Sequence, residues 1–212
     1  MIKLLQKRFN RWTFKHSIRK LKHTEFCIVA NNCLGSRLYQ ILGRQYNTPF
    51  VGLLVRPPCF AKLVGNFEAY MATELTFKKK SQYSNHPNAR RSSSPCPIGL
   101  LGDVELQFIH YSSEEEAARK WNQRKARMIR SKLYYILVVD GNCDREIISQ
   151  YLGEDSHNKV CFHPDEKLKM PACVYIPSKR VAMGNLYAQY HRLAGRFDFV
   201  KWILHSKKNL NK

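Results

Sequence analysis

The chain has 212 residues, 44% of them hydrophobic, which is enough for one well-buried core. Its 36 Lys and Arg against 16 Asp and Glu leave a formal charge of +20, so electrostatics favours an anionic partner: nucleic acid, a phosphorylated substrate or an acidic lipid surface. No apolar run approaches the ~18 residues that span a bilayer, the amino terminus lacks the pattern of a secretory signal, and seven scattered cysteines without a C-x-x-C pair support neither a zinc site nor a disulfide framework; a cytoplasmic protein with reduced thiols is expected.

Ile2, Leu5, Phe9 and Trp12 recur at helical spacing, and residues 1–22 hold eight cations and no acid. Residues 1–24 therefore read as a basic amphipathic helix, whose apolar stripe either lies on an anionic membrane face through residues 1–22 or docks onto the domain behind it. Residues 25–212 read as a single α/β domain.

The run Phe26-Cys27-Ile28-Val29-Ala30 has the continuous apolar character of a buried parallel strand. It breaks into Asn31-Asn32-Cys33-Leu34-Gly35-Ser36-Arg37 and then a short helix over 38–42 stopped by Gly43. A strand feeding a polar, glycine-containing loop and a helix presents N–H groups to an anion, without the spacing of a P-loop or a dinucleotide fingerprint. Tyr46-Asn47-Thr48-Pro49 reads as a turn, residues 50–55 as another strand, and residues 57–72 as one helix opened by Pro57 and Pro58. A strand at 75–77 precedes a polar loop over 78–97.

The stretch from Pro97 to Tyr111 compresses a glycine turn, two carboxylates and a histidine. Val104, Leu106 and Phe108 alternate with Glu105, Gln107 and Ile109, predicting a strand from Gly102 to His110 with Asp103, Glu105 and Gln107 on its second face. Asp103 and Glu105, roughly 7 Å apart along such a strand, are the candidate ligands for Mg²⁺ or Mn²⁺ under a nucleotide diphosphate; the competing reading is two solvent-facing acids. In Ser112-Ser113-Glu114-Glu115-Glu116 a serine with a glutamate three residues on is a capping box, and a helix capped by Ser112 runs to about Met128. Residues 132–139 form the clearest buried strand, ending in Asp140-Gly141-Asn142. A helix over 144–152, strands at 160–162 and 173–176, and helices over 186–193 and 197–205 complete the chain. This alternation predicts a three-layer α/β/α fold with a mostly parallel sheet, preceded by the basic helix.

In such sheets ligands bind beyond the carboxyl ends of the strands. Three loops are expected to meet there: residues 31–37, His110 with Tyr111, and Asp140 with Asn142. The candidate catalytic residues are His110 as general base, Asp140, and Cys33 as a nucleophile at a helix amino terminus. Asn31, Asn32, Gly35, Ser36, Arg37 and Asn47 are the candidate substrate-binding residues, with capping by Asn32 and Ser36 explaining part of the same pattern.

On Asn31-Asn32-Cys33-Leu34-Gly35, Tyr46-Asn47-Thr48-Pro49-Phe50, Pro97-Ile98-Gly99 through Asp103 to His110-Tyr111, the helix holding Glu116, Ala117 and Trp121, and Phe197-Asp198-Phe199-Val200-Lys201-Trp202, the chain resembles a bacterial family of unassigned biochemistry whose members are commonly labelled exopolysaccharide or capsular polysaccharide biosynthesis proteins. The resemblance implies an α/β/α fold and a role in surface-glycan assembly. The leading expectation is a glycosyl or related group transferase acting on a nucleotide- or lipid-linked sugar at the inner membrane face. A non-catalytic nucleic-acid-binding protein, favoured by the charge and by Phe9, Trp12 and Phe14, and an accessory subunit of the assembly machinery are the alternatives.

Overall fold

A computed structural model describes residues 2–83, 96–140, 143–177 and 185–205. In chain order it contains α1 (Ile2–Arg19), β1 (Cys27–Ala30), α2 (Leu34–Leu42), α3 (Pro57–Gly65), α4 (Phe67–Ala72), β2 (Leu75–Lys78), β3 (Ile98–Leu101), β4 (Val104–Gln107), α5 (Glu114–Lys125), β5 (Leu133–Val138), α6 (Arg145–Leu152), β6 (Lys159–His163), β7 (Cys173–Tyr175), α7 (Asn185–Ala188) and α8 (Phe199–His205).

The strands form two sheets. β1, β5, β6 and β7 lie side by side in that order, all parallel. Successive residues of a strand point to opposite faces, and here both faces are covered. Ile28, Ala30, Tyr134, Ile136, Val138 and Phe162 share one core with Phe14 and Ile18 of α1, Leu34 and Leu38 of α2, Leu186 of α7 and Phe199 of α8. Val29, Tyr135, Leu137 and Cys161 share the other with Phe60 and Leu63 of α3, Phe67 of α4 and Ile148 and Tyr151 of α6. That is the α/β/α arrangement. Burial on both faces explains why these strands read as unbroken apolar runs.

The second sheet is antiparallel, β2-β3-β4, and joins the core through Leu101, Val104, Leu106 and Phe108. It corrects the strand expected from Gly102 to His110. Residues 98–107 are a hairpin, with Leu101 paired to Val104 and only Gly102 and Asp103 in the loop. Gly102 has φ +57°, the glycine-first pattern of a type II′ turn, whose twist suits a two-residue hairpin. His110 thus follows an antiparallel strand and does not end a strand of the parallel sheet. Gly99 belongs to β3, where a Cβ would come within 2.6 Å of the Phe108 ring and 2.8 Å of Leu75.

Three further expectations are adjusted. Residues 50–55 form no strand; Leu54 makes one antiparallel bridge, to Gln107. The helix expected over 57–72 is two helices broken at Asn66, whose φ of −139° is not helical. The helix after β1 begins at Leu34, four residues earlier than the apolar spacing indicated. Part of the loop over 78–97 and the pair Gly141 and Asn142 lie outside the described residues.

Candidate functional site

Parallel β1 and β5 bring residues 31–33 and 138–140 to one rim, their carboxyl edge. Asn31 welds that rim. Its amide donates to Val55 O at 3.3 Å and Val138 O at 3.1 Å, and its Oδ1 accepts the Val138 N–H at 2.8 Å. With its side chain bound to backbone, Asn31 positions the rim and does not reach a ligand. Asn32 Oδ1, one residue ahead of the N-cap Cys33, accepts the Leu34 N–H at 3.0 Å, and Ser36 Oγ donates to Cys33 O at 2.7 Å. Gly35 lets this helix lie on β1: a Cβ there would meet Ala30 Cβ at 2.9 Å and Ile28 Cγ2 at 3.0 Å. Asn47 is committed at the other end of β1, donating to Phe26 O and accepting from the Tyr39 hydroxyl.

Beside the rim is a cleft of about 360 Å³. Cys33, Ser36 and Gln40 of the α2 segment form one wall, and Tyr46, Val51 and Gly52 the floor. His110 and Tyr111 reach it from the hairpin, Lys120 and Arg124 from α5, and Tyr187 from α7. Gly52, at φ +74°, allows the close passage of His110 and Tyr111, whose atoms a Cβ would meet at 3.3 and 3.1 Å; the His110 N–H donates to Gly52 O at 3.0 Å. Cys33, Ser36 and His110, expected at one site from remote positions, therefore do line one cavity.

The cleft is cationic and aromatic, and no carboxylate lines it among the described residues. Lys120 and Arg124, at i and i+4, project from the same face of α5. Arg124 donates to Val51 O at 3.4 Å and to the Tyr111 hydroxyl at 2.5 Å, and its guanidinium lies 5.3 Å from the Tyr46 ring centre. Lys120 Nζ lies 5.6 Å from the Tyr111 ring centre and pairs with Glu116 at 2.5 Å. That contact, first, and then the Ser112 N–H and hydroxyl lower the Glu116 pKa to about 2. α5 is held in place by its cap: Ser113 Oγ accepts the Glu116 N–H at 3.2 Å. Burial raises the Tyr111 pKa, against the pull of Arg124, so its phenol stays protonated. Arg37 braces the far wall, donating to Tyr187 O at 3.2 Å and to Gln40 at 3.0 Å with its guanidinium 4.3 Å over the Tyr187 ring.

Asp140 is on the same rim but outside the cleft lining; its charge acts on Arg56, a nearly fully buried guanidinium 5.9 Å from the Tyr83 ring centre. Asp103 lies in the turn and Glu105 in β4, so the two do not share a strand face as expected. Asp103 stays exposed and binds Lys62 at 2.5 Å and the Tyr70 hydroxyl at 2.8 Å. Glu105 is turned inward, 1% exposed, and accepts from Lys78, Ser81, Gln107 and the Gln82 N–H. Each acid is already matched to a cation of the chain, so the two do not fit a shared divalent ion. Among the described residues no group of three or more His, Cys, Asp and Glu is arranged to hold a metal.

Sequence reasoning passed over Lys120 and Arg124 because residues 119–132 hold seven cations and no acid, which reads as a solvated face. Their i, i+4 spacing beside the buried Ala117 and Trp121 was the available signal. Tyr187 had none.

These features define an α/β/α domain with a cleft, lined by Lys120, Arg124 and three tyrosines, beside the carboxyl edge of its parallel sheet. The chain belongs to the family described as Domain of unknown function (DUF1919), whose model matches residues 4–204. It is similar to an uncharacterized protein of Haemophilus influenzae, 27% identical over 194 residues that cover 89% of this chain and 88% of that one.

Proposed function

We propose that the cleft binds a phosphate-bearing sugar, as a nucleotide- or lipid-linked donor, and that the protein is a group transferase of surface-polysaccharide assembly. The observation that carries the binding half is the pairing of Lys120 and Arg124 with three tyrosines in one cavity that no described carboxylate lines. Cations meet the phosphate, and flat aromatic faces suit a sugar ring or a base. The Cys33–Ser36 turn adds the positive end of α2 on the same side. The glycan pathway comes from the family resemblance alone.

In the reaction, His110 takes the proton of an acceptor hydroxyl as that oxygen bonds to the anomeric carbon. The bond from that carbon to the phosphate oxygen breaks, and the departing phosphate keeps the electron pair beside Lys120 and Arg124. His110 fits this role by place: it is exposed, and it lines the cleft.

Titration calorimetry with a uridine-diphosphate sugar, and with inorganic phosphate, tests the binding. Lys120→Ala with Arg124→Gln is expected to weaken binding by roughly tenfold to a hundredfold, as loss of charge-assisted hydrogen bonds does. His110→Gln should leave affinity in place and abolish transfer. Equal affinity in the double variant, or no binding by the native chain, overturns the reading.

A further inference from the structure

α1 carries two apolar faces. Phe14, Ile18 and Leu21, the last just beyond the helix, are buried in the core on that side of the sheet. Leu4, Leu5, Phe9 and Trp12 are 67%, 59%, 59% and 63% exposed; the other large apolar side chain so placed among the described residues is Leu204, at 47%. Leu5, Phe9 and Trp12 stand at i, i+4 and i+7, one line along a helix, and the Phe9 and Trp12 rings stack at 6.3 Å. With 3.6 residues per turn, that line falls opposite the docked face. Arg8, Lys15 and Arg19 form the adjoining column, all exposed, and no acid occurs between residues 4 and 22.

We propose that α1 lies flat on an anionic lipid surface, with Leu5, Phe9 and Trp12 entering the acyl boundary and Arg8, Lys15 and Arg19 among the headgroup phosphates. An apolar line flanked by cations is the pattern of an interfacial helix. Charge complementarity selects lipid over the other occupants. A second copy would press its own acid-free α1 against this one, and a nucleic acid would engage the cations but leave the apolar line in water. No helix among the described residues is long and apolar enough to cross a membrane, so α1 rests on the surface. Its docked face ties that surface to the domain.

Flotation of the full chain on vesicles of phosphatidylcholine with about 30% phosphatidylglycerol tests this directly. The native chain should float with these vesicles and stay behind with pure phosphatidylcholine, and Trp12 emission, read against a Trp12→Phe blank, should shift to the blue. Leu5→Ser with Phe9→Ser should weaken flotation about tenfold or more, with an unchanged circular-dichroism melt because both side chains are outside the core. Lys120→Ala with Arg124→Gln should float normally, which separates this inference from the cleft. Absence of flotation overturns the proposal. So does equal flotation of the Leu5/Phe9 variant, which means adhesion by charge alone, or lipid-free dimerisation that shifts Trp12.

Discussion

In the parallel sheet all of β1 and the last five residues of β5 are buried and apolar, whereas in the antiparallel sheet β2 is half exposed and the second residue of β4, equally buried, is a carboxylate. The first sheet is held by burial on two faces, with one polar pin, Asn31, where it meets the segment after Phe50. The second is held on one face by Leu106 and Phe108 and on the other by the charge and hydrogen bonds around Glu105. The difference teaches where adaptability resides. The parallel sheet supplies a rim tied by buried hydrogen bonds, and the segment after the hairpin brings His110 and Tyr111 to the cleft beside it.

The largest effect is expected at the pin. Asn31→Ala leaves the Val55 and Val138 carbonyls and the Val138 N–H buried without their partner, a loss of roughly 3–5 kcal/mol in a urea titration. Glu105→Ala in the second sheet should cost less, about 2–4 kcal/mol, because Lys78 is partly exposed and recovers hydration when its partner is removed. If the order is reversed, the antiparallel sheet is the stability centre and the contrast fails. Gly99→Ala ranks next, at about 1–3 kcal/mol, since the added Cβ presses on Phe108 and Leu75 and only the partly exposed Leu75 has room to give. A thermal melt that leaves Gly99→Ala unchanged would show the hairpin to be looser than its packing implies.

The smallest effect sharpens the comparison through pH. Burial holds the His163 pKa, at the end of β6, below its ordinary 6.5, with Asp165 opposing and Lys169 assisting. Burial and then Arg11 and Lys7 do the same to His191. The unfolded chain therefore takes up these protons first, and stability falls as pH drops below 6.5 and levels off once the folded imidazoles are charged. Burial pulls the Glu105 pKa up, but Lys78, Ser81, Gln107 and the Gln82 N–H outweigh it and hold it below the ordinary 4.5. Its contribution is complete above 4.5 and disappears only as pH falls through the lowered value. Unfolding midpoints against pH should show the upper loss vanish in His163→Gln/His191→Gln and the lower loss vanish in Glu105→Gln. Both losses persisting in both variants would assign them to other groups.

What could be read without coordinates follows the same division. A strand buried on both faces needs only its own residues to say so, which is why residues 26–30 and 132–139 stand out in the sequence. Helix ends are likewise local: Asp144 at the start of α6 and the glycines after α2 and α6 are recognisable because a cap is a contact within a few residues, and the cap of α5 falls on Ser113, one residue after the Ser112 that the spacing indicates. The basic amphipathic character of α1 is in the same class, and so is the α/β/α alternation. Tertiary structure alone decided the rest. Whether residues 102–110 make one strand or residues 98–107 a hairpin depends on β2, twenty or more residues earlier, and whether Glu105 faces water depends on Lys78. The route by which His110 reaches Cys33, the turn of Lys120 and Arg124 toward the cleft, and the face that α1 leaves uncovered are likewise long-range outcomes. Local spacing encodes the period of an element, but which of its faces is buried is set by the free energy of contacts with distant parts of the chain.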